Sequence, residues 1–189
     1  DYDPAVTKYQ DEQIDGNTSQ SGNIRADYPK VAMSGFPGGT TRIFVAWLDH
    51  RRGERNVFFN YKDTVGIWAH PSDLQIDRNI RPGMFADELE MACGQDGNYV
   101  HVVWADQRKG KEAIWYNGSK DGGNTFQEKP ICLSPHWPFQ YPGSEPHIQC
   151  SLDGTVVYVA WRYGTADVVM CYSIDGGTSW SSYSNYSDR

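Results

Sequence analysis

Three tryptophans, Trp47, Trp104 and Trp161, stand 57 residues apart, each inside the same short apolar run. Val45-Ala46-Trp47-Leu48-Asp49-His50-Arg51 returns as Val102-Val103-Trp104-Ala105-Asp106-Gln107-Arg108, and again as Val159-Ala160-Trp161-Arg162. Cys93 and Cys150, Asp96 and Asp153, and Gly97 and Gly154 repeat at the same interval. A fixed period of this kind means that one supersecondary unit is built several times over. Such units bury their apolar faces by stacking on one another.

The unit is made of strands. The chain carries 7 Trp, 12 Tyr and 7 Phe beside 19 Gly and 10 Pro. Aromatic and β-branched runs broken by Gly and Pro favour short strands and tight turns, so the fold class is all-β. Each unit reads as four strands. The first covers Pro29 to Met33, Glu88 to Cys93 and Pro146 to Cys150; the second carries the tryptophan. The third covers Asn56 to Tyr61, Ala113 to Asn117 and Val168 to Tyr172, and a less regular fourth closes the unit. The turns between first and second strands hold Pro37-Gly38-Gly39, Asp96-Gly97 and Asp153-Gly154. Asp-Gly between alternating runs predicts a type I′ hairpin, with positive φ at both central residues. Four antiparallel strands every ~40–60 residues are the pattern of a propeller blade. The units span approximately 26–83, 84–141 and 142–189. Residues 1–25 are polar, fall outside the period and read as an extended arm.

A second motif follows the third strand. Ser119-Lys120-Asp121-Gly122-Gly123-Asn124-Thr125-Phe126 and Ser173-Ile174-Asp175-Gly176-Gly177-Thr178-Ser179-Trp180 share the template S-x-D-x-G-x-[ST]-[WF], with a worn copy at Lys62 to Trp68. Asp, Ser and Thr side chains bond a turn's own backbone N–H groups. The glycines supply angles closed to other residues, and the closing aromatic can bury its ring between sheets. Ser119, Asp121, Gly123, Thr125, Phe126, Ser173, Asp175, Gly177, Ser179 and Trp180 are therefore expected to be structural.

This motif, with the V-x-W-x-D-x-R strand beside it, resembles the Asp-box (BNR) repeat of sialidase-like β-propellers over residues ~26–189. The resemblance implies a propeller of three blades in this chain, with the boxes on the outer rim away from any active site. It also implies what a sialidase would need. That set is an arginine on the first strand within a (F/Y)-R-I-P motif, two later arginines, a Tyr–Glu nucleophile pair and an Asp acid/base. A tyrosine nucleophile is an exception to the usual two-carboxylate scheme. The nearest match to the arginine motif is Tyr28-Pro29-Lys30-Val31, where Lys30 lacks the bidentate fork that grips a carboxylate. The loop after Asp49-His50-Arg51 offers no Asp, and Asp49 recurs as Asp106, as an architectural residue would. Lys30 and Asp49 are thus weak catalytic candidates. A six-bladed ring at 57 residues per blade needs roughly 340 residues, against about 3.3 units here. The leading expectation is a non-catalytic extracellular (or periplasmic) module for binding or assembly, self-associating or docking in a larger assembly. The alternative is the N-terminal half of a glycoside hydrolase of the exo-sialidase type.

Other features refine the expectation. His136, Trp137, Phe139 and Tyr141 lie in a proline-stiffened link suited to a glycan or protein contact, and a soluble lectin would rest on them. Arg162 and Tyr163 replace the Asp/Arg pair of the other units and mark one loop end as specialised. With 17 basic and 24 acidic residues the net charge is −7, a poor basis for binding nucleic acid or an anionic membrane. No apolar run approaches the ~20 residues of a membrane-spanning helix, and Asp1-Tyr2-Asp3-Pro4 has no leader character. Cys93, Cys132, Cys150 and Cys171 show no metal-ligand spacing, so no zinc site is expected. Buried thiols and one or two disulfides are both compatible with their number. No cofactor is expected; calcium at acidic turns such as Asp96-Gly97-Asn98 is the open case, without an EF-hand ligand series. Asn17, Asn117 and Asn185 head glycosylation sequons.

Overall fold

The computed structural model describes residues 14, 26–35, 41–51, 53–78, 85–134, 142–165, 167–182 and 184–185. Among them there are twelve strands and no helix, so no helix is long and apolar enough to cross a membrane. The strands form three four-stranded antiparallel sheets, each a meander in chain order. Sheet 1 holds β1 (Ala26–Ser34), β2 (Arg42–Asp49), β3 (Asn56–Asp63) and β4 (Leu74–Gln75). Sheet 2 holds β5 (Ala86–Cys93), β6 (Val100–Asp106), β7 (Ala113–Ser119) and β8 (Ile131–Cys132). Sheet 3 holds β9 (Gly143–Cys150), β10 (Val157–Tyr163), β11 (Asp167–Ser173) and β12 (Ser184–Asn185).

The sheets stack face to face. Phe44, Ala46, Leu48, Val57 and Phe59 on the front of sheet 1 form one core with Val100, Val102 and Trp104 on the back of sheet 2. Val103, Ala105, Ile114 and Tyr116 on the front of sheet 2 form a second core with Val157, Val159 and Trp161 on the back of sheet 3. Sheet 2 is covered on both sides, and every residue of β6 and β7 is buried. That explains the nearly unbroken apolar run of Val100 to Ala105, which suits a strand with no solvent face. In sheet 3, β10 and β11 instead alternate buried and open positions, as a half-buried strand should. The first strands lie side by side, β1 against β5 and β5 against β9. All three period-defining tryptophans are buried, and each occupies the same place in its second strand.

Two features depart from the sequence expectation. In the Asp-Gly turns only glycine takes positive φ, at Gly97 (75°) and Gly154 (73°). Each turn is closed by the glycine N–H donating to the carbonyl three residues back, Gly94 and Ser151 respectively. The loops are longer than a two-residue hairpin, so the type I′ geometry that matches a tight hairpin's twist is not required. The Pro37-Gly38-Gly39 turn lies outside the described residues. The first strands also start earlier than expected and carry a bulge, marked by register shifts between Asp27 and Lys30, and between Asp87 and Glu90, with a matching shift in β9–β10 pairing. At each bulge a non-glycine residue stands at positive φ: Tyr28 (51°), Glu88 (49°) and Glu145 (53°).

All four cysteines are free thiols. Burial pushes the Cys93 and Cys150 thiols up to about 11 and Cys171 to about 12. Asn117 has no exposed surface, and its Nδ2 donates to the Ile76 and Gln127 carbonyls. Its sequon is closed to modification in the folded chain. The Asn17 sequon lies outside the described residues.

Candidate functional site

The two Asp boxes sit at the ends of β7 and β11 and satisfy themselves. In the first, Ser119 Oγ donates to Asp121 Oδ1 at 2.7 Å, and Thr125 donates through its N–H (2.9 Å) and its hydroxyl (2.6 Å). The Gly123 N–H returns to Ser119 Oγ at 2.9 Å. In the second, Asp175 accepts from Ser173 Oγ, from the Thr178 and Ser179 N–H groups and from the Ser179 hydroxyl. The bonds from Ser179 and Ser173 hold the Asp175 carboxyl well below the usual carboxylate range. At Asp121, burial works in the opposite direction, but the bonds from Thr125 and Ser119 outweigh it and the net shift is downward.

Each box is also a staple to the preceding sheet. Phe126 meets Phe59 of sheet 1 edge-on at 4.8 Å, and Trp180 meets Tyr116 of sheet 2 in the same way at 4.7 Å. His70 Nε2 and Gln127 Nε2 bond the Gly123 and Gly177 carbonyls respectively. A Cβ at Gly123 would lie 2.8 Å from the Phe59 ring. The glycine is therefore required twice, by its φ of 86° and by the neighbouring sheet.

The opposite end of the stack, where the first strands begin, holds the Asp–Arg pairs that follow the second strands. Asp49 has no exposed surface and accepts from the Trp47 indole, the Arg51 N–H and the Arg51 guanidinium. Arg51 continues to Asp73 at 2.8 Å and lies over the Phe58 ring at 4.3 Å. Burial works against the charge of Arg51, yet its bonds to Asp49 and Asp73 raise its pKa overall. Asp106, Trp104 and Arg108 repeat the clamp in sheet 2. In sheet 3, Tyr163 takes the place of the aspartate, and Arg162 turns to Glu145 (3.1 Å) and Ser144 Oγ (3.1 Å). Lys30 is ion-paired to Glu90 at 2.6 Å.

Between sheets 1 and 2 this end opens into a hollow lined by His50, Arg55, Phe85, Asp87, Gln107 and Glu112. Arg55 pairs with Asp87 at 3.1 Å and Asp27 at 3.8 Å. Burial raises the Glu112 pKa, the charges of Glu88 and Asp87 add to the rise, and Arg162 opposes it. Glu88 Oε2 accepts the Glu145 N–H at 2.5 Å, tying two bulges together. The bulges thus hold three left-handed residues in a row around one end. Backbone strain of this kind persists only where the surroundings fix it, and it collects at functional sites. The rim offers donors, acceptors and the half-exposed Phe85 ring to a polar ligand.

Of the candidates the sequence offered, Asp49, Arg162 and Tyr163 lie at this end, whereas Lys30 stands opposite Ala46 midway along β1 and lines a separate hollow on the back of sheet 1; Arg55, Asp87, Glu88, Glu112 and Glu145 were not among the candidates. The signal available was the 57-residue interval from Glu88 to Glu145. His136, Trp137, Phe139 and Tyr141 lie outside the described residues. The Asp96 carboxylate bonds Asn98 through its N–H and Nδ2, and the described residues hold no group of three or more His, Cys, Asp or Glu side chains placed for a metal. No family model matches the chain, and no curated protein matches its sequence.

Proposed function

We propose that the chain is a non-catalytic module of the sialidase-like Asp-box β-propeller class. Within that class it is an extracellular three-blade unit that works by binding and assembly. The stack of three equivalent sheets, their adjoining first strands and the two self-satisfied boxes support the propeller reading. The observation that carries the non-catalytic reading is the engagement of Lys30 and Asp49. Lys30 stands where a sialidase would present its first arginine, and its ammonium is held by Glu90. Asp49 is sealed beneath Arg51 and Trp47 with no surface to offer a substrate. A carboxylate that transfers protons must reach the reacting atom within about 3 Å, and this one is committed to its own loop.

A fluorogenic sialoside assay tests the reading. No turnover above the buffer rate is expected at any pH between 4 and 8. Turnover that disappears in Lys30→Ala would overturn it and favour a half-enzyme of the exo-sialidase type.

A further inference from the structure

We infer that the hollow between sheets 1 and 2 binds a primary ammonium group on an alkyl stem, with the Glu112 carboxylate as counter-ion and the Phe85 ring against the stem. The inference rests on the binding reading above and names the class of ligand.

The hollow has a volume of about 260 Å³ and is walled by His50, Arg55, Phe85, Asp87, Gln107 and Glu112. Pockets for drug-sized ligands run from ~300 to 1,000 Å³, so this one suits a single side chain or a small molecule. Its walls are related by the repeat. His50 and Gln107 stand 57 residues apart, as do Arg55 and Glu112. Arg55 and Glu112 also share a backbone role: each carbonyl accepts an N–H at the start of the next sheet, from Ala86 and Gly143 respectively. Their charges are opposite. Arg55 reaches across to Asp87 of sheet 2 at 3.1 Å. The residue 57 places on from Asp87 is Ser144, which carries no charge and whose hydroxyl accepts from Arg162 Nε. The same arginine pairs with Glu145 at 3.1 Å. Glu112 is thus an acid standing where the repeat forms an ion pair between sheets. Among the described residues, no ion pair or side-chain hydrogen bond engages it.

The surroundings select a cation. Glu112 is half-buried. Burial, then the charges of Glu88 and Asp87, make its ionised form costly, and Arg162 opposes them. The guanidinium in the wall does not supply the missing counter-ion. Arg55 is paired with Asp87 and with Asp27 at 3.8 Å, and its Nε donates to His50 Nε2 at 3.4 Å. Gln107 is exposed and brings an amide oxygen as a second acceptor for an ammonium group. Phe85 stands half-exposed at the mouth. An aromatic face attracts a cation, and an alkyl stem packs against it. An anionic ligand would instead meet Glu112 with like charge, so the hollow rejects the carboxylate of a sialoside. A free alkylamine and the lysine side chain of a partner polypeptide both carry the required group, and the test separates them.

Calorimetric titration of the full chain with pentylammonium and with N-acetyl-lysine methylamide tests the inference. Saturable binding of both is expected, and none of the uncharged Nε-acetylated lysine amide. Equal affinities assign a free amine; tighter binding of the lysine amide assigns a partner's lysine. Glu112→Gln should weaken binding about tenfold or more, the worth of one hydrogen bond to a charged group. Phe85→Ala should weaken it about threefold. Glu128→Gln removes the same charge from an exposed position outside the hollow and should leave affinity unchanged. An unchanged urea midpoint shows that each variant is folded. No saturable heat with either amine overturns the inference. So does a loss in Glu128→Gln as large as that in Glu112→Gln, because the attraction would then belong to the net charge of −7 and not to the hollow. Sialoside turnover by the same preparation would refute the non-catalytic reading alone, and missing amine binding without turnover would refute the ammonium site alone.

Discussion

His101 carries a pH dependence that can be isolated by one substitution. It lies on the front of sheet 2 with no exposed surface, between the Tyr116 hydroxyl (2.8 Å from Nδ1) and the Gly154 carbonyl (2.9 Å from Nε2). The carbonyl can only accept, so Nε2 carries the proton and Nδ1 accepts from Tyr116. Burial pushes the imidazole from its ordinary 6.5 down to about 4, against the opposing bond to Gly154 and with a further push from Lys120. The unfolded chain takes up a proton near 6.5 while the folded chain resists it to about 4. The stabilisation is whole above pH 6.5 and is drawn down as pH falls through that window, by roughly 3 kcal/mol in all.

Asp77 works in the opposite sense. Burial raises its carboxyl from 3.8 to about 6, so the folded chain binds that proton first and gains stability as pH falls from 6 toward 4, by a similar amount. The wild type alone would therefore show little slope. In His101→Phe, which copies the Phe44 of sheet 1, the Asp77 contribution remains and the histidine contribution is gone. At pH 7 the variant should be less stable by about 2 kcal/mol, because the Gly154 carbonyl and Tyr116 hydroxyl lose a partner. By pH 4 the two proteins should be equal, or the variant ahead. Urea unfolding at pH 7.0, 5.5 and 4.0 measures the difference. A difference that does not change with pH would refute the reasoning.

Two further substitutions probe the scaffold. Gly123→Ala forces a side chain onto positive φ against the Phe59 ring and should cost about 2 kcal/mol or more, read as a lowered urea midpoint with an unchanged slope. Asp49→Ala leaves the Arg51 guanidinium half-paired and the Trp47 indole without its acceptor. A loss of about 3 kcal/mol is expected by thermal unfolding, and Asp106→Ala should behave alike.

The fold was legible to the extent that a repeat is legible. Val45/Trp47, Val102/Trp104 and Val159/Trp161 announced one unit built three times, and the Asp-box residues announced how the third strand turns. The bulges were hidden because a bulge adds one residue to one strand. All three first strands carry it, so Glu88 and Glu145 keep the 57-residue period, while the longer turn after β1 sets Tyr28 60 residues before Glu88; neither spacing distinguishes a bulged strand from a straight one. The hollow at the strand ends was hidden for another reason. Arg55 and Glu112 come from loops of adjacent sheets and Asp87 from the start of β5, and no local spacing links them.

The central position of sheet 2 has a consequence for how the molecule comes apart. In an array where each unit touches only its neighbours, stability is a sum of unit and junction contributions. Sheet 2 belongs to both junctions; sheets 1 and 3 belong to one each. Losing sheet 3 breaks a single junction, the one made by Val157, Val159 and Trp161, and leaves the core around Trp104 and Phe59 whole. Opening of these three sheets therefore starts at an outer one, and amide protection should fall from β6 and β7 toward the strands that share a single junction. Cooperativity in such an array is strongest at the sheet that shares two cores.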